Sequence, residues 1–188
     1  MFRQISILLL LTFFINTITS GQTFTNSFGL TLSFLQGREV PKGPYKNILL
    51  QESGTYFPRL NLSENENSSF SIGMPLSAGI GTVSNSDGVV FGIDAPLVGD
   101  YNFGCNATPE TEKNVGGFIG AGFGYTYTNY SSYFGSGNVT SYGPVIHTGI
   151  RFVVSQKFSQ ALVFGVFYKF GLESEKYKTF GFNVLGEF

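Results

Sequence analysis

Six titratable residues have the types and positions that could support chemistry. They fall on the polar side of segments in which apolar and polar residues alternate, and they are Arg59, Asp94, His147, Arg151, Lys169 and Glu187. Because an unpaired charge in a closed interior is costly, we expect these side chains to pair with one another. Arg151, Lys169 and Glu187 lie on consecutive segments, so contact among these three is expected. The pattern indicates a polar network inside the fold.

His147 is the only histidine and allows an enzymatic alternative. A histidine beside a serine could catalyse acyl transfer, as in barrels that modify lipid A, and Ser141 and Ser155 are near in sequence. However, no His-x-Ser pair is present, and His147 lies in the middle of a segment. A hydrogen-bonding role inside the fold is favoured, and we predict no catalytic residues.

The remaining chemistry-bearing residues do not form a recognisable cofactor or metal site. The single cysteine, Cys105, cannot form an internal disulfide, and the scattered acids lack metal-ligand spacing. Glycines at 116–124 resemble a phosphate-binding loop, but no helix follows them. The net charge of −1 provides no basic surface for nucleic acid. We therefore predict no cofactor, no metal and no nucleic-acid partner.

The N-terminus reads as a secretory signal peptide. Arg3 precedes an apolar stretch from Ile5 to Ile15, which is followed by a short polar region with small residues. This order is typical of an export signal and too short for a comfortable membrane span. We expect residues 1–21 to be the signal peptide and residues 22–188 to form one domain.

The elements that must position the six residues are eight amphipathic segments. Apolar and small or polar residues alternate at about 24–36, 55–64, 68–80, 88–101, 115–128, 141–154, 160–172 and 178–188. Charge of only 12%, aromatic content of 16% and 25 glycines suit a membrane barrel with an apolar outside and a small-residue inside. We predict an all-β, eight-stranded antiparallel up-and-down transmembrane β-barrel. A soluble lipocalin-like barrel is the alternative.

The connections and prolines complete this topology. With both termini periplasmic, residues 37–54, 81–87, 129–140 and 173–177 are expected outside, and 65–67, 102–114 and 155–159 are expected to be periplasmic turns. Residues 37–54 and 129–140 are the expected contact surfaces. Proline cannot donate to a strand ladder, so bulges or strand ends are expected at Pro75, Pro96 and Pro144.

The last segment carries the most specific pattern, in which Phe180, Phe182, Val184, Gly186 and Phe188 share one face. With the signal peptide and the eight segments, it makes the chain resemble small eight-stranded outer-membrane barrels of the OmpX and OmpA-transmembrane type in Gram-negative bacteria. The resemblance covers essentially all of residues 22–188. It implies an outer-membrane location, outer-membrane lipid as a partner, and an assembly signal at Phe180, Phe182, Val184 and Phe188 for the barrel-assembly machinery. Gly186 departs from a fully apolar pattern.

Function is less closely defined than fold, because small barrels support several roles. The leading hypothesis is a non-enzymatic outer-membrane barrel with a structural or surface-interaction role through its outer loops, whose ligand the sequence does not identify. The alternatives are a narrow channel or conduit for small hydrophobic molecules and, third, a lipid-modifying enzyme that uses His147.

Overall fold

The computed structural model describes residues 23–37, 48–84, 88–132, 135–155, 160–173 and 177–188. The expected signal peptide, residues 1–21, lies outside this part of the chain. The regular elements of the described residues are strands: β1 (Phe24–Gln36), β2 (Ile48–Asn65), β3 (Ser68–Gly73), β4 (Leu76–Val83), β5 (Val89–Asp94), β6 (Leu97–Gly104), β7 (Val115–Ser132), β8 (Gly135–Ser155), β9 (Gln160–Phe170) and β10 (Lys178–Glu187). No helix among these residues is long and apolar enough to cross a membrane.

The strands close into an antiparallel ring, which confirms the predicted barrel. β1 pairs with both β2 and β10, so the first and last strands join. β2 pairs with β3 over one part of its length and with β4 over another. β7 likewise pairs with β6 and with β5. β3 and β4 therefore act as one ring strand and β5 and β6 as another, which gives eight positions around the barrel.

Two of the three prolines stand where those ring strands are interrupted. Pro75 lies between β3 and β4, and Pro96 lies between β5 and β6, as expected from the missing N–H donor. Pro144 differs, because it lies inside β8 and pairs with Phe123 of β7. The β8–β9 ladder begins at the next residue, Val145. β8 thus accommodates Pro144 without a strand end.

Residues alternate between the outer face and the interior along each strand. Large apolar side chains are exposed on the outside, and Leu30 (71%), Ile80 (67%) and Val89 (67%) are examples. The interior holds the buried polar residues, including Arg151 at 0% and Lys169 at 1% exposure. This polarity is the reverse of that of a soluble barrel and is typical of a barrel surrounded by lipid.

The strands extend into several of the expected connections. β2 begins at Ile48, so residues 48–54 of the expected 37–54 loop are strand. The β7–β8 ladder continues to Ser132↔Gly135, so the described residues of 129–140 form a hairpin rather than a free loop. At the opposite end, β6 ends at Gly104 and only residues 105–114 form the irregular connection. Backbone pairing overrides the loop-like composition of these stretches because strand preference depends on context.

The two ends of the barrel differ in what they carry. The loop end is the end at which β1 finishes at Gln36 and β2 begins at Ile48. The terminal end carries Thr23 and Phe188, whose strands are joined by hydrogen bonds between the backbones of Asn26 and Phe188 (3.0 and 2.9 Å).

Candidate functional site

The lumen of the barrel is the candidate site, and side chains from all around the ring fill it in layers. An apolar cluster of Leu35, Leu49, Val83, Val90, Val139 and Tyr177 lies near the loop end. A second cluster lies further in and consists of Phe57, Val98, Phe118, Val145, Val163 and Leu185. Polar and charged residues lie between these clusters and on their terminal-end side. An eight-stranded barrel has an interior that side chains just fill, and this lumen follows that rule.

Glu187 connects two buried arginines near the terminal end. Its Oε2 lies 2.6 Å from Arg59 Nη2 and 3.3 Å from Arg151 Nε. The positions follow from register, because Ser27 and Thr25 of β1 pair with Glu187 and Arg59 respectively. Arg151 also donates to Asn102 Oδ1 at 2.7 Å. All three charged side chains are at most 3% exposed, so each buried charge is balanced by its neighbours rather than by water.

His147 pairs with an acid that the sequence analysis did not select. Its Nε2 lies 2.5 Å from Asp100 Oδ1, and Asp100 is fully buried. The imidazole is also flanked by the rings of Phe118 and Phe57, at centroid distances of 5.2 and 6.2 Å. The sequence did carry a signal, since Asp100 follows Asp94 by an even number of residues and so shares its face.

Gly120 provides the space that this pair occupies. A Cβ at Gly120 would overlap Asp100 Oδ1 and His147 Nε2. Gly120 lies on β7 between Asp100 of β6 and His147 of β8, with which it pairs in register. The glycine of the middle strand therefore lets the two neighbouring strands bring an acid and an imidazole together across it.

Lys169 and Asp94 form a separate ion pair nearer the loop end. Lys169 Nζ lies 2.9 Å from Asp94 Oδ1, and the Thr126 hydroxyl donates to the same oxygen. The lysine side chain is 1% exposed and the aspartate side chain 21%. Of the six residues that the sequence singled out, Asp94 is therefore the most accessible. Lys169 does not join Glu187 and Arg151, because those residues pair with Arg59 and Asn102 instead.

The lumen contains small cavities among these layers. One of 20 Å³ is lined by residues that include Gln51, Ser53 and Asp94, and one of 30 Å³ is lined by residues that include Asp94, His147 and Asn183. A cavity of this size holds about one or two water molecules. The arrangement is suited to hydrogen bonding and ion pairing within the barrel.

The geometry gives little support to catalysis or metal binding. His147 contacts Asp100, and the buried Ser141 hydroxyl has no hydrogen-bond partner among the described residues. No group of three His, Cys, Asp or Glu side chains in the described part of the chain could hold a metal ion. Cys105 lies in the connection after β6, where burial raises the pKa of its thiol. A raised pKa makes a cysteine less reactive as a nucleophile.

The residues of the expected assembly signal are all exposed on the outside of the barrel, and they lie on β10 or, in the case of Phe188, directly after it. Phe180, Phe182, Val184 and Phe188 are 39%, 43%, 44% and 60% exposed. β10 pairs with β1 on one side and β9 on the other, so these residues flank the closure of the ring.

Comparison with known proteins finds similarity in structure but not in sequence. No protein-family model and no curated protein matches the chain. The crystal structure of Ail, the attachment invasion locus protein of Yersinia pestis, matches with a TM-score of 0.52 at 13% identity, covering 89% of this chain and 99% of that one. The crystal structure of Neisserial surface protein A matches with a TM-score of 0.51 at 11% identity, covering 89% and 98%. The chain thus has the fold of small outer-membrane eight-stranded β-barrels.

Proposed function

We propose that this protein is an integral, non-enzymatic barrel of the bacterial outer membrane. One observation carries the proposal, namely that apolar side chains cover the outside while ion pairs fill the inside. A soluble protein would expose far less apolar surface, and the hydrocarbon of a bilayer is the solvent that matches this face. The fold shared with small outer-membrane barrels supports the same location.

We infer a structural or surface-interaction role, because the contents of the lumen disfavour solute passage. Two apolar clusters and two sets of ion pairs occupy much of it. A narrow channel remains the second candidate, since the small cavities beside Asp94 and His147 interrupt that packing. The lipid-modifying enzyme is the weakest reading, since His147 is buried against Asp100 rather than beside a serine at the rim.

With the lumen filled, contacts with other molecules fall to the loop end, which we propose to be extracellular. The connection between Gln36 and Ile48 carries Arg38, Lys42 and Lys46 against a single acid, Glu39. This excess of positive charge favours an anionic contact surface.

Adherence of bacteria that display the protein tests this role, with heparin-coated plates as the anionic probe. Replacing Arg38, Lys42 and Lys46 together by serine should reduce adherence at least tenfold at low salt. The matched control is Lys113→Ser, which removes a positive charge from the connection at the terminal end and should leave adherence unchanged. Equal adherence of the triple variant and the unmodified protein, at equal surface display, would contradict a contact role for this loop.

A further inference from the structure

Two prolines face each other where the barrel wall is interrupted. Gly73 pairs with Val98, and Ser77 pairs with Asp94, so the same register sets Pro75 opposite Pro96. We call residues 74–76 and 95–97 the proline seam. No backbone pairing joins the two sides of the seam, although the ladder is intact immediately before and after it.

The hydrogen bonds of the neighbouring amides show which ladder donors are missing at the seam. Met74 N donates to Pro58 O at 3.1 Å, and Ala95 N donates to Tyr125 O at 2.8 Å. Both bonds point away from the seam. In an antiparallel strand, the backbone groups of successive residues point alternately to the two neighbouring strands. The backbone nitrogens of Pro75 and Pro96 therefore face each other's strand. Proline has no N–H, so this one position loses both of its ladder donors.

A cavity lies directly behind the seam. The 30 Å³ cavity is lined by both prolines and by Ser77, Asp94 and Asn183 among others. On the outer side the seam carries the exposed apolar residues Met74, Leu76 and Leu97. The seam therefore separates a polar pocket of the lumen from the apolar face of the barrel.

Two acceptor atoms of this pocket have no donor among the described residues. Asp94 uses Oδ1 for both Lys169 and Thr126, while its Oδ2 makes no hydrogen bond to a described residue. Asn183 Oδ1 is buried and also has no partner among these residues. Because Lys169 already balances the charge of Asp94, the pocket is suited to a neutral donor rather than a cation.

We propose that the proline seam is a side port that binds a single-chain amphiphile with a hydroxyl head group. The hydroxyl occupies the cavity and donates to Asp94 Oδ2. The alkyl chain leaves between Pro75 and Pro96 and lies over Met74 and Leu97 in the bilayer. A cavity of 30 Å³ has room for a water-sized group, so it accepts a hydroxyl and excludes a bulky head group. This site goes beyond the proposed function and is independent of contacts at the loop end.

The test uses 1-octanol as the probe and isotope-labelled protein in phospholipid nanodiscs. Backbone NMR signals of Ser77, Asp94 and Asn183 should shift and saturate with 1-octanol. Octyl methyl ether, which has the same chain but no donor, should bind at least tenfold more weakly. Equal shifts from the ether would show ordinary partitioning into the bilayer and would overturn the proposal, as would the absence of any shift.

Two variants, each with a matched control, distinguish binding at the proline seam from a general effect of altering the barrel wall. Pro75→Ala with Pro96→Ala restores both ladder donors and should close the seam, with at least a tenfold loss of 1-octanol affinity, whereas Pro144→Ala inside β8 should have no effect. A disulfide from Met74→Cys and Leu97→Cys should give the same loss, and one from Phe70→Cys and Tyr101→Cys, which pair in the intact ladder, should not. Undiminished binding in the cross-linked seam variant would overturn the proposal.

Discussion

At the scale of single residues, Glu187 is the most consequential side chain in the lumen. It is 1% exposed, and among the described residues it is the one acid that contacts both Arg59 and Arg151. Removing one partner of a buried ion pair leaves an uncompensated charge, which costs far more than an exposed salt bridge contributes. Here a single change would leave two arginines without their carboxylate.

Glu187→Gln should therefore destabilise the barrel by about 3–5 kcal/mol. The measurement is urea unfolding of the protein in detergent micelles or lipid vesicles. The control is Glu110→Gln, at an exposed residue of the connection between β6 and β7, which should change the free energy of unfolding by less than about 0.5 kcal/mol. If both variants unfolded at the same urea concentration, the network around Glu187 would not stabilise the fold.

Alternation along the strands was sufficient to place Arg59, Arg151, Lys169 and Glu187 on one face, because each side chain follows a period of two. The alternation could not identify which of these side chains form ion pairs with each other. Lys169 contacts Asp94 rather than Glu187, and this choice depends on how the strands are staggered around the ring. Asp100 shared the predicted inner face of the 88–101 segment, but the alternation did not indicate that it pairs with His147 of another strand.

At the scale of elements, β7 shows how a small residue in one strand lets two neighbours meet. Gly120 stands between Asp100 of β6 and His147 of β8, and a methyl group there would overlap both contacting atoms. Neither the aspartate nor the imidazole can withdraw freely, because both are buried and the imidazole lies against Phe118.

Gly120→Ala should thus cost about 1–3 kcal/mol, the usual range for overpacking, and separate His147 from Asp100. The readouts are urea unfolding and the imidazole nitrogen NMR signals of His147. The matched control is Gly54→Ala on β2, where an added Cβ would meet nothing within 4 Å. Unchanged imidazole signals in Gly120→Ala would show that this glycine does not set the contact.

Strand existence was predictable from the sequence, but strand length was not. Residues 129–140 are rich in Asn, Ser and Gly and read as a loop. The described residues among them, 129–132 and 135–140, form the end of the β7–β8 ladder instead, because a partner strand of matching length satisfies their backbone groups. The positions of Pro75 and Pro96 were informative, since proline removes a donor wherever it stands. Pro75 and Pro96 face each other because of the register between their strands, and the sequence alone does not give this register.

At the scale of the whole molecule, the reversed polarity of the two faces is the defining feature. Exposed aliphatic and aromatic side chains surround the barrel, and a set of charged residues is enclosed, namely Arg59, Asp100, Arg151, Lys169 and Glu187. In water this surface would drive association, whereas in a bilayer it is solvated by acyl chains, and the paired strands of a closed ring satisfy one another's backbone groups. The same reasoning argues against a soluble lipocalin-like barrel.

Fractionation of cells that express the protein, followed by gel electrophoresis with and without heating, tests that claim most directly. We expect the protein in the outer-membrane fraction, extracted only by detergent, with an unheated band that migrates differently from the heated one because the closed barrel resists unfolding. A protein that remains monomeric and soluble in buffer without detergent would contradict the account.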